Sequence, residues 1–386
     1  MMRRAFAILF AIVLPAAPAM AAVEIDTPAR AAIMLDYETG TVMFEKMADV
    51  PYPPASMTKL MTLELLFQKL KDGDLTMEST FHVSQKAWET QGSKMFVMVD
   101  TDVRVEDLIR GISILSGNDA CIVVAEGIGG TEADFAEMMT ARGIELGLQE
   151  THFMNSSGWP EVGHETSVRD LAMLASHIIR TYPEYMHFFS ELSFTWTGIT
   201  QSNRNPLLYA NVGADGMKTG HTEEAGYGLV GTAVQENRRV ILVLFGLSSE
   251  EERASESKRL IQTAFREFRR FDLLAAGENV ITADVWNGES DSVSLVVASP
   301  LNVFMSGANR RKMKVVATYT GPIAAPFDAG MPVGEVRVMV EGAIIATAPL
   351  VTGAPMERAG LLSRIGTAIS QMLDGSGAQP ESVPVQ

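Results

Sequence analysis

Segments with strand character occur in two groups within the first 270 residues, and a long stretch with helical patterning separates the two groups. The strand-like segments are 32–36, 41–45, 217–222, 227–234 and 240–247. From about residue 84 to residue 200, apolar residues recur mainly at helical spacing. The pattern therefore predicts an α+β fold, in which helices pack on an antiparallel five-stranded sheet built from both groups.

The composition changes after a predicted long helix over residues 251–271. Residues 275–356 are rich in Val, Ala, Gly and turn residues, and apolar residues alternate from Met313 to Tyr319. This alternation predicts a small all-β sandwich domain that follows a larger domain over 22–274. The polar, Gly-containing residues 375–386 are expected to form a disordered tail.

The N-terminal 21 residues have the three parts of a secretory signal peptide. Arg3 and Arg4 supply the positive charge, residues 5–14 form a short apolar segment, and Ala19-Met20-Ala21 fits a cleavage site. The apolar segment is too short to span a bilayer as a helix. The sequence therefore predicts an exported protein, which in a bacterium resides in the periplasm.

Charge and cysteine content narrow the possible functions. Removal of Arg3 and Arg4 with the signal peptide takes the formal charge from −16 to −18, which argues against binding nucleic acid and against general binding to anionic lipid. Cys121 is the single cysteine, so an intramolecular disulfide is excluded, and we expect this residue in the core. The six histidines show no metal-binding spacing, and we expect neither a metal nor a cofactor.

Residues 357–374 have the pattern of an amphipathic helix. Its apolar face consists of Leu361, Leu362, Ile365, Ala368, Ile369, Met372 and Leu373. A helix of this kind lies in the membrane interface, so we expect peripheral attachment to the outer face of the inner membrane. The alternative is that the apolar face packs on the β domain or on a second copy.

The segment Ser56-Met57-Thr58-Lys59 precedes an apolar, helical stretch. Residues three apart lie on one face of a helix, so the Lys59 amine is expected beside the Ser56 hydroxyl. A lysine with a lowered pKa can accept the proton of a serine and make it a nucleophile. Taken alone, the tetrapeptide is weak evidence, because Ser56 could simply cap a helix.

Two further motifs follow in a fixed order. Ser116-Gly117-Asn118 ends an amphipathic helix, and Lys218-Thr219-Gly220 lies on a predicted strand. The series S-x-x-K, S-x-N and K-T-G resembles that of the penicillin-binding protein and serine β-lactamase superfamily. The resemblance implies a β-lactamase/transpeptidase-like fold for the larger domain.

The residues around the motifs resemble the low-molecular-mass D-alanyl-D-alanine carboxypeptidases. They are Pro54–Lys59, Arg110–Ile112, Ser116–Cys121, Asn203–Asn205, Gly216–Thr222 and Arg253–Lys258. The likeness extends over nearly the whole chain after the signal peptide. It implies removal of the terminal D-Ala from the peptidoglycan stem peptide and covalent inhibition by β-lactam antibiotics.

The resemblance also implies roles in covalent catalysis. Ser56 attacks the carbonyl of the penultimate D-Ala, and Lys59 accepts its proton, kept neutral by burial and by the charge of Lys218. The backbone N–H groups of Ser56 and His221 hold the oxyanion. Ser116 relays a proton toward the leaving amine, with Lys218 beside it.

Other residues are implied in substrate binding. Asn118 hydrogen-bonds the substrate amide, and Thr219 and Gly220 follow Lys218 along the bound peptide. Arg253 is expected with Thr219 at the terminal carboxylate, although a solvated position at a helix start is the alternative. The sequence leaves Arg204 open between a structural role and one at the rim of the site.

Several related functions share these residues. A class A β-lactamase needs a glutamate that activates the deacylating water, and no E-x-x-x-N segment of that kind occurs between Asn118 and Lys218. A β-lactam-binding sensor needs a membrane span or an effector domain, and the sequence indicates neither. A DD-endopeptidase or a transpeptidase remains open, because each would use the same residues.

Overall fold

The computed structural model describes residues 25–360 and 379–385. The predicted signal peptide, residues 1–21, and most of the predicted amphipathic helix, 357–374, lie outside the described residues. The chain divides into two compact units between Arg269 and Arg270. In the part of the chain that is described, no helix is both long and apolar enough to cross a bilayer.

The first unit contains one principal sheet and a group of helices. Its strands are β1 (Ala31–Asp36), β2 (Val42–Lys46), β3 (Thr80–His82), β4 (Asp102–Arg104), β5 (Ser193–Trp196), β6 (Ile199–Ser202), β7 (Ala214–Thr222), β8 (Gly226–Gln235) and β9 (Arg238–Leu247). Its helices are α1 (Lys59–Lys71), α2 (Gln85–Glu89), α3 (Val105–Ser113), α4 (Asn118–Gly129), α5 (Glu132–Glu145), α6 (Val168–Thr181), α7 (His187–Ser190) and α8 (Glu250–Glu267). Short 3₁₀ helices cover Ala55–Thr58, Pro183–Tyr185 and Pro206–Tyr209.

The principal sheet has the strand order β2-β1-β9-β8-β7, and its pairs are antiparallel. Strand β1 pairs with β9, with Ile33 opposite Val243, although more than 200 residues separate them in the chain. The predicted α+β fold with a five-stranded antiparallel sheet is therefore confirmed. Strand β7 lies at one end of this order, so one of its edges is not paired within the sheet.

Helix α1 is buried along most of its length, from Lys59 to Phe67. Its apolar residues belong to one large core with residues of α3, α4, α6 and the sheet. A helix that is apolar on all sides has to be enclosed by other elements. This enclosure fixes the first turn of α1, and therefore Lys59, in the protein interior.

The stretch 84–200, predicted to be mainly helical, also contains short strands. Strands β5 and β6 form a hairpin with Phe194 opposite Gln201, and β4 pairs with β3. The hairpin residues are mostly exposed, so the strands lack the apolar alternation that marks a half-buried strand in a sequence.

The second unit is an all-β domain with one short helix. Its elements are β10 (Phe268–Leu274), β11 (Asn279–Trp286), β12 (Ser292–Val297), β13 (Leu301–Ser306), α9 (Gly307–Lys312), β14 (Met313–Gly321), β15 (Ile323–Ala324), β16 (Pro332–Val340), β17 (Ala343–Thr352) and β18 (Gln379–Pro384). One sheet has the order β15-β11-β12-β17-β16-β14-β18, and β10 pairs with β13 in another. Side chains from both sheets form one apolar core, which agrees with the predicted sandwich.

Two predictions at the ends of this unit are wrong. Helix α8 ends at Glu267 rather than at residue 271, and the chain continues as β10. Within the predicted disordered tail 375–386, residues 379–384 form β18, which pairs with β14. The polar composition of the tail gave no sign of this strand, because among its described side chains only Val383 and Val385 pack against the core.

Candidate functional site

Ser56 lies in the 3₁₀ turn that leads directly into α1. The turn begins at Ala55, whose φ of +48° is uncommon for a residue with a Cβ. Ser56 does not cap α1, since the residue before the helix is Thr58 and it makes no side-chain cap. The Ser56 hydroxyl instead accepts a hydrogen bond of 2.8 Å from Lys59 Nζ.

Lys59 is fully buried, and its ammonium is surrounded by acceptors. Nζ donates to Ser56 Oγ and Asn118 Oδ1, each at 2.8 Å, and to the Ser157 carbonyl at 2.5 Å. Burial, together with a smaller effect of the positive charge of Arg204, lowers the pKa of Lys59 to about 8. A neutral Lys59 is therefore available near neutral pH, within reach of the Ser56 proton.

The segment 155–159 brings the Ser157 carbonyl to Lys59. The Asn155 side chain accepts hydrogen bonds from the backbone N–H groups of Gly158 and Trp159 at 2.9 and 3.0 Å, which fixes the turn. Gly158 has a φ of +81°, and a Cβ on it would lie 1.8 Å from the Ala55 carbonyl oxygen. Only glycine allows this segment to approach the 3₁₀ turn Ala55–Thr58 so closely. We call this turn, which contains Ser56, the nucleophile turn.

His164 contacts the same turn from the other end of this loop. Met154 N–H donates to His164 Nδ1 at 3.1 Å, so the ring proton is on Nε2, which lies 2.8 Å from Thr58 Oγ1. Burial, together with smaller effects of His152 and Lys59, lowers the pKa of His164 to about 4. His164 is thus a neutral donor behind Ser56, and the sequence analysis did not identify it.

The second motif is positioned by the loop that precedes it. The Asn118 side chain donates to the Gln91 carbonyl at 2.8 Å while its oxygen accepts from Lys59. Asp119 accepts from the backbone N–H groups of residues 95–97. Ser116 is buried with a φ of +60°, two residues before the start of α4. Asn118 therefore orients Lys59, and one of its two side-chain N–H groups has no hydrogen-bond acceptor among the described residues.

The third motif lies on β7 against the nucleophile turn. A Cβ on Gly220 would lie 3.0 Å from the Pro54 carbonyl oxygen and 3.2 Å from Ala55 Cβ, so the motif glycine lets the strand pass close to Ser56. Lys218 is buried, and its Nζ donates to the Thr219 carbonyl at 2.9 Å. Burial lowers the pKa of Lys218 well below its ordinary value, and the nearby charge of Lys59 lowers it further.

Arg253 is buried in the first turn of α8, which Ser249 caps. Its guanidinium lies 5.5 Å from the centre of the Tyr227 ring, on which the His221 imidazole also stacks. Its Nε is buried without a hydrogen-bond partner among the described residues. The alternative of a solvated arginine is therefore wrong. A buried guanidinium with an unused donor is suited to an anion.

Arg204 is exposed, and its guanidinium donates to Ser93 Oγ at 2.5 Å. Its positive charge lowers the pKa of Lys59, of Lys218 and of Arg253, so it lies near all three cations. This position is at the rim of the cationic site. The hydrogen bond to Ser93 also connects Arg204 to the segment that contains Gln91, whose carbonyl accepts from Asn118.

The motif residues therefore meet in one place, although roughly 160 residues separate the first motif from the third. Direct hydrogen bonds join Ser56, Lys59 and Asn118, and electrostatic proximity links Lys218 to Lys59. Sequence reasoning missed the residues that hold the motifs in place: Gln91, Ser93, Asn155, Ser157, His164 and Tyr227. The one available signal was Gly158, a glycine in a loop rich in turn residues.

Comparisons with known proteins agree with this geometry. Residues 17–249 match the family model described as D-alanyl-D-alanine carboxypeptidase, and residues 268–358 match that of the penicillin-binding protein 5 C-terminal domain. The D-alanyl-D-alanine carboxypeptidase DacA of Escherichia coli is 36% identical over 329 residues, which cover 83% of this chain and 81% of DacA.

Solved structures with the same fold include two informative relatives. That of the D-alanyl-D-alanine carboxypeptidase DacD from Francisella tularensis has a TM-score of 0.79 at 28% identity, covering 87% of this chain and 95% of that one. Penicillin-binding protein D2 of Listeria monocytogenes, in its ampicillin-bound form, has a TM-score of 0.58 at 28% identity, covering 63% of this chain and 100% of that one. The chain thus belongs to the D-alanyl-D-alanine carboxypeptidase family of low-molecular-mass penicillin-binding proteins.

Proposed function

We propose that this protein removes the terminal D-Ala from peptidoglycan stem pentapeptides through an ester formed on Ser56. The observation that carries the proposal is the hydrogen bond between Ser56 and a buried lysine whose pKa is lowered to about 8. Such a lysine can be neutral and accept a proton, which an ordinary surface lysine at pH 7 cannot do.

In the first half of the reaction, Ser56 Oγ bonds to the carbonyl carbon of the penultimate D-Ala, and its proton moves to Lys59 Nζ. The tetrahedral intermediate then collapses as the C–N bond to the terminal D-Ala breaks. The leaving amine takes the proton that Lys59 holds, relayed through Ser116, which leaves Lys59 neutral again. In the second half, water attacks the ester carbonyl and gives a proton to Lys59. The ester bond to Ser56 Oγ then breaks, and Lys59 passes that proton to Ser56 Oγ.

Charge stabilisation comes from the groups around Ser56. The backbone N–H groups of Ser56 and His221 bind the oxyanion, and Lys218 supplies positive charge beside it. The unpaired edge of β7 offers main-chain groups to an extended peptide. Asn118 donates to the substrate amide with the N–H that Gln91 does not occupy.

The terminal carboxylate binds to Thr219 and Arg253 in this proposal. The buried Nε of Arg253 is an unused donor at a cationic site, and a carboxylate satisfies it at little cost. Arg204 supplies further positive charge at the rim. Only the last residue of a stem peptide has a free carboxylate on its main chain, so binding of this group distinguishes the end of the peptide from its interior.

β-Lactams acylate the same serine in this proposal, because the lactam carbonyl can take the place of the D-Ala-D-Ala carbonyl. The ampicillin-bound structure of the Listeria relative supports this view.

The protein acts in the periplasm after export, attached to the outer face of the inner membrane through residues 357–374. The apolar face of that segment in the sequence is the support for attachment.

Mass spectrometry of a pentapeptide incubated with the protein tests the activity. We expect the loss of one alanine, stable labelling by a fluorescent penicillin, and loss of both in Ser56→Ala. Ser176→Ala, which removes a serine hydroxyl that donates within α6, is the control and retains both. Full labelling of Ser56→Ala contradicts the serine assignment. Cleavage of cross-linked dimers without release of D-Ala from the pentapeptide indicates an endopeptidase instead.

A further inference from the structure

The positive charge of the β-rich unit is concentrated in one segment. Residues 22–269 contain 21 Lys and Arg against 36 Asp and Glu, whereas residues 270–386 contain 8 against 11. Four of those 8 cations are Arg310, Arg311, Lys312 and Lys314, which we call the basic patch. No Asp or Glu occurs in the sequence between Asp291 and Asp328. Charge is thus segregated within an acidic protein.

The basic patch lies at the end of α9 and the start of β14, and its four side chains are exposed. Two concavities adjoin there, because Lys314 lines both of them. The larger has a volume of about 560 Å³, with Arg310 and Lys314 beside apolar residues that include Leu273, Met313 and Val385. The smaller, about 480 Å³, has Lys312, Lys314 and Glu341 in its lining.

Little of this charge is neutralised within the unit. Lys312 pairs with Glu341 at 2.6 Å. The described residues that line the larger concavity include no acidic side chain, and the Arg310 guanidinium lies 5.7 Å from the centre of the Phe271 ring. Arg310 and Lys314 therefore supply positive charge to the larger concavity, whose other described lining residues are apolar.

We propose that the basic patch binds the anionic headgroups of membrane phospholipids. Guanidinium and ammonium groups bind phosphate oxygens, and the apolar floor accommodates the glycerol and the upper acyl carbons of the same lipid. A juxtaposition of exposed cations with apolar surface is suited to a bilayer interface. The inference rests on the proposed location at the inner membrane and assigns a role to the β-rich unit.

The charge distribution favours this partner over general adhesion. An anionic surface attracts the basic patch and repels the strongly acidic first unit, so the patch is better suited than the first unit to contact such a surface. Attachment of an acidic protein to an anionic bilayer otherwise has to depend on apolar contacts alone.

Sedimentation of the full-length mature protein with vesicles tests the proposal. The vesicles contain phosphatidylcholine alone or phosphatidylcholine with phosphatidylglycerol. Since one cation near an anionic surface contributes roughly fivefold to binding, Arg310→Gln with Lys314→Gln should reduce binding to the anionic vesicles by more than about tenfold. The matched control, Lys258→Gln with Arg266→Gln, removes the same charge from exposed positions on α8 and should change it little.

Each other outcome overturns the proposal. Equal losses in both double variants show that only net charge matters, and no loss in either shows that residues 357–374 alone attach the protein. A patch variant that loses binding to soluble polyphosphate but not to vesicles indicates a dissolved polyanion as the partner. Failure of the unaltered protein to sediment with any vesicle removes the proposed attachment as well, whereas penicillin labelling in every variant reports the catalytic proposal separately.

Discussion

Lys59 is the residue on which the site depends most directly. An ammonium group without solvent needs acceptors, and three different parts of the chain supply them: Ser56, Asn118 and the Ser157 carbonyl. The same burial that requires these partners also lowers the lysine pKa, which the proposed role as a base requires. Positioning and activation of Lys59 therefore have one physical cause.

The acylation rate should report the titration of Lys59. Its pKa is lowered from 10.5 to about 8, and only the neutral form accepts the Ser56 proton. We therefore expect the rate of labelling by a fluorescent penicillin to rise about tenfold per pH unit below that value and to level off above it. Lys59→Ala should lose about 10²–10⁴-fold at the plateau. A rate that is independent of pH between 6 and 9 argues for a different base.

His164 should act on the rate through Thr58. His164→Leu removes the donor that holds the nucleophile turn, and a small displacement of Ser56 costs on the order of tenfold to a hundredfold in acylation. His164→Gln keeps a donor and an acceptor and should recover most of the rate. In a double-mutant cycle, Thr58→Val should add little to His164→Leu. Additive losses show that the two residues act independently.

Arg253 should distinguish substrates by their terminal charge. Arg253→Ala is expected to weaken hydrolysis of a pentapeptide with a free carboxylate by more than about tenfold, because a buried charge-assisted hydrogen bond is lost. The corresponding peptide amide should be affected much less. Measurement of kcat/KM on both substrates decides this, and equal losses show that Arg253 does not bind the carboxylate.

At the residue scale the sequence predicts the proposed reacting groups but not the residues that hold them in place. Ser56, Lys59 and Lys218 belong to short motifs whose order can be read directly. His164 contacts Thr58 although 106 positions separate them in the chain. The acceptor at Ser157 is a backbone carbonyl, which every residue type has, so the sequence does not indicate it. Such contacts follow from the path of the chain, so residue patterns cannot predict them.

At the scale of elements, the loop from Asn155 to His164 holds the nucleophile turn. It contacts the turn through the Ser157 carbonyl, through Gly158 against Ala55, and through His164 against Thr58. A loop attached at several points is more rigid than one attached at its ends. We infer that it fixes the direction of the Lys59 side chain.

Two glycines of this loop allow a matched test. Gly158 and Gly163 have nearly the same φ, +81° and +83°, so alanine causes similar backbone strain at each. A Cβ at Gly158 clashes with the Ala55 carbonyl, whereas a Cβ at Gly163 meets nothing within 4 Å. Gly158→Ala should therefore reduce penicillin acylation by at least about tenfold more than Gly163→Ala. Equal effects mean that the close approach does not matter.

The elements that the sequence predicted well are those with regular burial. Strands β8 and β9 and helix α1 are buried almost throughout, and their apolar residues mark them clearly. The β5–β6 hairpin and strand β18 are short and mostly exposed or at an edge, so their pairing leaves little trace in the sequence. Helix α8 was extended too far because β10 continues its mixture of apolar and charged residues.

At the scale of the molecule, the chain divides into an acidic catalytic unit and a β-rich unit with its own core. The change in composition and periodicity predicts a domain boundary after residue 274. The order of the β-rich sheet could not be predicted, since β14 pairs with strands on either side of it, β16 and β18, of which β18 comes from the far end of the chain. Long-range pairing of this kind has no local signal.

Strand β18 should contribute to the stability of the β-rich unit alone. It pairs with β14 from Val316 to Gly321, the Tyr319 hydroxyl donates to Glu381 at 2.6 Å, and Val383 and Val385 pack on the core. Two half-buried valines and one charge-assisted hydrogen bond, reduced by the entropy of ordering the strand, correspond to about 1–2 kcal/mol.

Deletion of residues 379–386 should therefore lower the melting temperature of the β-rich unit by several degrees. Differential scanning calorimetry follows its transition, and ampicillin, added in excess, raises the transition of the catalytic unit selectively if the two units melt separately. Penicillin labelling of Ser56 should be unchanged, since β18 pairs only within the second unit among the described residues. Tyr319→Phe isolates the hydrogen bond to Glu381 and should give a smaller shift. An unchanged β-rich transition after the deletion means that β18 is not stably paired in solution.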